Sequence, residues 1–204
     1  MHPDKRPQVM LWATVASAAL FAGVSYYITK KDPREVVAAT VPVYGEITGN
    51  YQFTNQSGQT FQTNTMMGQT WLVNFFFTTC HGPCPLMTSQ VSALMNKHPK
   101  LYALSLTTDP DTDTVAELKA YADKYKADST RWTMARGEGK SLQQFGQDVL
   151  KLPVGEVPDA HSARIVLIDS KGQIRGWYDS QDPQIVSKIS TDLKLIGDTH
   201  RIEY

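Results

Sequence analysis

The chain has 204 residues, enough for one domain with a sizeable core plus a tail or anchor. Its 20 Lys and Arg are balanced by 20 Asp and Glu, which excludes the concentrated basic surface that nucleic-acid binding needs; no glycine-rich phosphate loop is present either. The only two cysteines, Cys80 and Cys84, are too few and too close for a disulfide-stapled small scaffold, so they read as redox or metal chemistry.

Residues 1–8 form a short polar tail. From Val9 to Ile28 run twenty residues without a charge, enough to span a bilayer as a helix, with Trp12, Tyr26 and Tyr27 near the ends as interfacial anchors. A core helix would carry a polar stripe, and this run has only scattered Ser and Thr. Ala16-Ser17-Ala18 resembles a signal-peptide cleavage site but falls in the middle of the apolar run. Residues 9–29 are therefore expected to be an uncleaved transmembrane helix. Lys5 and Arg6 precede it while Lys30, Lys31 and Arg34 follow it, so charge alone leaves its orientation open. Residues 30–42, charged and then small, with Pro33 and Pro42, read as a tether to a domain over 43–204.

Within that domain, Tyr51–Phe53 and Thr60–Phe61 flank Asn55-Gln56-Ser57-Gly58, a hairpin signal. Trp71–Phe77 is almost continuously apolar, as expected of a strand buried on both faces. After the cysteine pair, Met87, Val91, Leu94 and Met95 recur at helical spacing. Leu101–Leu106 reads as a strand, and Thr114 with Glu117 makes a capping box for a helix that buries Val115, Leu118, Ala122 and Tyr125. A short strand over Trp132–Ala135 and a helix over Ser141–Leu150 follow. Ile165–Ile168 is a buried strand that Lys171-Gly172 turns into Gln173–Tyr178, and Ile185, Ile189, Leu193 and Ile196 mark a closing helix. This order predicts an α/β fold, a mixed sheet flanked by helices, with the cysteines where a buried strand gives way to a helix, a favoured place for a site.

Pro83 and Pro85 lack amide hydrogens and fit a helix only in its opening turn, so they fix the helix start near Cys84, whose place before Pro85 suits it to a cap. Thiols at the positive end of a helix are favoured as thiolates, the form that attacks disulfides and binds metals. A static disulfide over so short a loop would add little stability, because the entropy it removes grows with loop length. The pair is therefore read as functional, as a redox couple, as metal ligands, or as both.

The stretch Phe75-Phe76-Phe77-Thr78-Thr79-Cys80-His81-Gly82-Pro83-Cys84-Pro85 resembles the Cys-x-x-x-Cys-Pro motif of the Sco (SenC) family of copper chaperones. Leu104 to Thr114, with Asp109-Pro110 and Asp113-Thr114, is similar to that family's strand ending in Asp-Pro and then Asp-Thr. Asp159-Ala160-His161-Ser162 resembles its Asp-His segment. The resemblance spans about residues 43–197 and implies a thioredoxin-like fold with Cys80, Cys84 and His161 as copper ligands, Cys80 and Cys84 also forming the redox disulfide. Two thiolates favour Cu(I), and an added imidazole accommodates Cu(II), whereas structural zinc normally takes four ligands.

The resemblance further implies delivery of copper to the dinuclear copper site of a respiratory cytochrome c oxidase subunit, with another copper chaperone or a thiol reductase as further partners. A carrier of this kind is not an enzyme in the ordinary sense. The family's domain lies outside the cytoplasm, which makes residues 1–8 cytoplasmic. Eight residues before the span are too few for a mitochondrial transit peptide, so the expectation is a single-pass bacterial inner-membrane protein facing the periplasm. The alternative is a membrane-tethered thiol-disulfide oxidoreductase that reduces partner cysteines, although its motif is more often Cys-x-x-Cys.

Other candidates read more simply. His81, Asp109 and Asp159 are candidates for a supporting shell around the metal, His81 as an exposed residue that tunes thiol acidity and the two aspartates as orienting groups. Met87 is a core residue first, and His98 and His200 are surface residues near helix ends.

Overall fold

The structure, a computed structural model, describes residues 40–152 and 162–199. The expected transmembrane helix over 9–29, together with Asp159, His161 and His200, lies outside the described residues. Among those described, no helix is long and apolar enough to cross a membrane.

Eight strands form one mixed sheet: β1 (Gly45–Glu46), β2 (Gln52–Asn55), β3 (Thr60–Gln62), β4 (Thr70–Phe76), β5 (Leu101–Thr107), β6 (Trp132–Arg136), β7 (Arg164–Ile168) and β8 (Gln173–Asp179). Their order across the sheet is β1-β8-β7-β4-β5-β6-β2-β3. The centre β4-β5-β6 is parallel, with Val73 opposite Leu104 and Leu104 opposite Thr133; β7 joins the other side of β4 antiparallel, with Asn74 opposite Ile165. Such parallel strands must be connected by crossovers, which the helices supply. These are α1 (Cys84–Lys97) between β4 and β5, and α2 (Val115–Lys124) between β5 and β6. After β6 come α3 (Gly139–Gln143), which continues as a π-helical segment over Gln144–Val149, and the closing helix α4 (Ile185–Thr199).

Side chains of successive strand residues point to opposite faces, so the near-continuous apolar run of β4 feeds two cores. Leu72 and Phe76 face a layer built from α1, α2 and α4, where Met87, Val91, Leu118, Tyr121 and Ile189 are buried. Trp71, Val73 and Phe75 face the other way, onto Phe145 and Val149 beyond α3 and onto Phe53 and Met66. The expected hairpins form, with Gly58 and Gly172 at φ 75° and 78°, a left-handed conformation that glycine reaches without a Cβ penalty.

Five details differ from the sequence expectations. The short edge strand β1 has no apolar alternation to announce it, and Val41, read as tether, is buried in the core. The helix expected over Ser141–Leu150 begins at Gly139 and relaxes into a π-helical stretch. Gln56, read as part of a polar turn, is buried: its Nε2 donates to Trp132 O at 3.0 Å and its Oε1 accepts from Met134 N at 2.9 Å, extending the sheet beside β6. His98 is half-buried rather than a plain surface residue, because its Nε2 meets Ser190 Oγ at 2.9 Å and joins the end of α1 to α4.

Candidate metal centre

The site begins where β4 ends. The chain leaves the sheet after Phe76, turns so that Cys80 N donates to Phe77 O at 3.2 Å, and enters α1 at Cys84. Pro83 occupies the cap with φ −74° and ψ −21°, already helical, and no side-chain cap bond forms. Cys84 is thus the first helical residue, one position later than a cap, despite preceding Pro85. Pro85 is tolerated because amides in a first turn have no intrahelical acceptor in any case.

Both cysteines are buried, Cys80 8% exposed and Cys84 fully enclosed. They lie on the core face shared by Phe76, Phe77, Met87 and Tyr121. Burial, with a hydrogen bond to the Cys80 side chain adding to it, pushes the Cys84 thiol up from an ordinary 9.0 to about 12. Backbone amides at Phe77 and Cys84 oppose this. The expected thiolate at the helix end is therefore not the resting state of Cys84: amides and helix end pull toward the anion, but desolvation wins. The Tyr121 phenol is also pushed up by burial, with Tyr125 and Cys84 adding to the shift and Thr88 opposing it.

A buried carboxylate braces the loop from behind. Asp113 is fully enclosed and accepts from Thr78 N at 3.0 and 3.3 Å, from the Thr78 hydroxyl, and from the Thr107 hydroxyl. Thr78 lies two residues before Cys80, and Thr107 ends β5, so Asp113 ties the cysteine loop to the next strand. Asp109, the residue the sequence singles out, organises its own turn instead: Asp109 Oδ1 accepts from Thr112 N at 3.3 Å and Asp109 O from Asp113 N at 2.9 Å. The signal for Asp113 was present in the Asp109–Thr114 run, but nothing in the run distinguishes a buried aspartate from a turn aspartate.

His81 is exposed, as expected, and is not among the groups that shift Cys84. Met87 is a fully buried core residue. Among the described residues, no group of three or more His, Cys, Asp or Glu side chains is placed to hold a metal. His161 and Asp159 fall outside them. The described chain resumes at Ser162, and β7 then begins at the sheet edge where β4 ends, since Asn74 pairs with Ile165.

The chain that carries this buried cysteine pair at the carboxyl edge of a parallel strand matches a known family over most of its length: the SCO1/SenC family model covers residues 42–194. The chain belongs to the SCO1/SenC family. A SCO1/SenC family lipoprotein from Bacillus anthracis has the same thioredoxin-like fold, with TM-score 0.71 and 26% identity over 78% of this chain and 99% of that one. BsSco, described as a member of the Sco family of cytochrome c oxidase assembly proteins with a disulfide switch, matches at TM-score 0.68 and 23% identity, over 77% of this chain and 96% of its own. Bradyrhizobium japonicum ScoI with copper bound matches at TM-score 0.58 and 24% identity, over 72% of this chain and 98% of its own.

Proposed function

We propose that this SCO1/SenC protein is a membrane-anchored copper carrier in which Cys80, Cys84 and His161 hold the metal, for delivery to the dinuclear copper site of a respiratory cytochrome c oxidase subunit. The observation that carries this reading is the pair of cysteine side chains, enclosed and hydrogen-bonded to one another at the start of α1. Two adjacent sulfurs in an apolar pocket suit Cu(I), a soft ion content with few ligands. A three-ligand set leaves a position through which an acceptor's ligand enters, so the metal passes by exchange. The pairing of Ile165 with Asn74 near the end of β4, four residues after His161 in the sequence, supports His161 as third ligand, and the imidazole would let the site accommodate Cu(II) as well. Copper in a solved ScoI structure and the oxidase-assembly role of BsSco's family support cargo and destination.

The chain's own groups do identifiable work. Asp113 holds the loop carrying Cys80, α1 carries Cys84 as its first residue, and the surrounding Phe76, Phe77 and Met87 exclude water. Because Cys84 rests as a neutral thiol, copper binding must displace its proton. Residues 1–8 are the cytoplasmic tail, 9–29 the single-pass anchor in a bacterial inner membrane, and the tether that follows ends before Val41, whose burial makes it the start of the domain facing the periplasm. The lipoprotein character of the Bacillus anthracis relative supports a membrane tether in general.

A second reading, a thiol-disulfide oxidoreductase acting on partner cysteines through a Cys80–Cys84 disulfide, draws support from the same hydrogen bond between the two side chains. The two readings separate in an anaerobic Cu(I) titration of the full chain against a competing chelator. The carrier reading expects one tight copper per chain, lost in Cys80→Ser and Cys84→Ser and weakened in His161→Ala. Absence of tight binding, or binding indifferent to His161, would leave the oxidoreductase reading standing.

A further inference from the structure

We propose that the outer face of α1, from Leu86 to Ala93, is the surface on which the metal-receiving protein docks, a partner that presents its own thiol ligands within an uncharged, apolar rim. This inference rests on the reading of Cys80 and Cys84 as a copper site. Cys84 is fully enclosed and Cys80 only 8% exposed, so an acceptor's ligand cannot meet the metal in open solution. The acceptor must be pressed against the residues that surround the pair, and those residues are known.

Next to the cysteines, His81 and Gly82 are exposed and Pro83 and Pro85 half-buried. One position further, Leu86 is 51% exposed, which makes it one of four large apolar side chains so exposed among the described residues and the only one on a helix. Beyond it, the exposed positions Ser89, Ala93 and Asn96 follow at three- and four-residue spacing and so share one stripe of α1. From Thr78 to Asn96 the chain carries no Asp, Glu, Lys or Arg, and the first charge on α1 is Lys97 in its last turn.

That composition is peculiar to this helix. The shorter α2 exposes Glu117, Lys119, Asp123 and Lys124, and α4 exposes Lys188 and Lys194. Solvent-facing helices usually keep such charges, which cost nothing in water and disfavour wrong association. A face that lacks them and runs on from the cysteine pair with an exposed leucine at its start offers a partner a surface free of charges to desolvate. Depletion of charge at the centre of a contact is also the compositional mark of protein interfaces. The geometry specifies the occupant: its contact surface has to be uncharged around the thiols it offers, because a charge there would be desolvated against Leu86 without a counter-ion on α1.

The test uses the copper-loaded full chain, the metal-free reduced soluble domain of the dinuclear-copper oxidase subunit from the same organism as acceptor, and three variants. Leu86→Glu and Ala93→Glu place a charge on the stripe with a good helix former, and Ala120→Glu places one on exposed α2 as control. The expected result is copper transfer slowed at least about tenfold in Leu86→Glu and Ala93→Glu, the loss that some 1.4 kcal/mol at the contact would give. Copper affinity against a chelator should stay at the wild-type value in all three, with Ala120→Glu transferring normally. Wild-type transfer rates in the two stripe variants overturn the inference. If the wild type binds copper but passes none to this acceptor, the docking surface is overturned while the copper site stands. If the wild type binds no copper, the copper reading fails and takes this inference with it.

Discussion

Asp113 accepts hydrogen bonds from both the amide and the hydroxyl of Thr78, so the loop two residues before Cys80 is held by a carboxylate with no exposure to solvent. The same carboxylate takes the Thr107 hydroxyl, and the cysteine loop is thereby fastened to the end of β5. Truncation to alanine strands three donors in the interior. Each stranded buried donor costs about 1–3 kcal/mol, so Asp113→Ala is expected to lose roughly 3–5 kcal/mol in urea unfolding of the reduced, metal-free chain. Asp113→Asn, which keeps one acceptor oxygen, should fall between that variant and the wild type. A loss below about 1 kcal/mol for Asp113→Ala would mean that the loop is not braced in this way.

Cys84, pushed to about 12 by burial and its contact with Cys80, makes two pH-dependent observables. Its folded-state value lies above its ordinary 9.0, so the folded state holds the proton more tightly than the unfolded chain does. The stability this contributes is fully present below pH 9.0 and is lost as pH rises towards about 12; denaturation midpoints of the reduced chain should fall across that window. Copper binding must also displace the Cys84 proton, so affinity should strengthen by about tenfold per pH unit for that proton across the neutral range. A copper affinity flat between pH 6 and about 8 would show that the bound sulfur was already a thiolate.

Accessibility separates the two sulfurs independently of pH. With Cys80 8% exposed and Cys84 enclosed, iodoacetamide at mildly alkaline pH should label Cys80 first, and peptide mass mapping would assign it. Labelling of Cys84 ahead of Cys80 would place the reactive sulfur on the helix instead of the loop.

The strand and helix order was legible because β4 and β7 are apolar runs too short for helices, and α1, α2 and α4 repeat apolar residues at helical spacing. Thr114 was readable as a cap, and its hydroxyl does accept from Glu117 N at 3.3 Å. What was illegible is whatever depends on tertiary burial of a polar group. Gln56 and Asp113 sit in turn-like sequence and become internal only because neighbouring strands close over them. The same effect inverted the expected acidity of Cys84: local sequence gives the helix end that favours a thiolate, while the desolvation that outweighs it comes from residues far along the chain, Tyr121 included.

Tyr121 gives a control that separates stability from metal chemistry. Its ring stacks on Phe76 at 4.8 Å, and its hydroxyl meets Thr88 Oγ1 at 3.0 Å, linking α2 to α1 one turn beyond Cys84. Tyr121→Phe keeps the stack and removes the hydroxyl's bonds to Thr88 and Tyr125, so about 1–2 kcal/mol of stability should be lost. Because the phenol is neutral at physiological pH, its removal takes no charge from beside Cys84, and copper affinity should not change. A weaker copper affinity in Tyr121→Phe would assign the hydroxyl a direct part in the site.

Arg175 fastens the beginning of the domain to the sheet. Its Nη1 lies 3.0 Å from Asp169 Oδ2, with side chains 11% and 0% exposed, and its Nη2 donates to Val41 O at 2.5 Å. Removing one partner of such a buried pair typically costs about 3–5 kcal/mol, because the remaining charge is left without compensation. Asp169 keeps the amides of Lys171 and Gln173, both at 2.9 Å, so Arg175→Met should sit near the low end of that range. The carbonyl of Val41 would be released together with the pair. Amide exchange at Tyr44 and Ile47, which donate to Ile174 O and Gly172 O at 2.9 and 2.8 Å, should therefore quicken. Replacing Asp169 by Asn in the same chain removes the stranded charge while keeping an acceptor for the turn amides. The double variant Arg175→Met with Asp169→Asn should then be more stable than Arg175→Met alone, a non-additivity that a thermal-unfolding cycle measures directly. If the double variant is the less stable of the two, the cost of losing Arg175 lies in its bond to Val41 and its packing rather than in the uncompensated carboxylate.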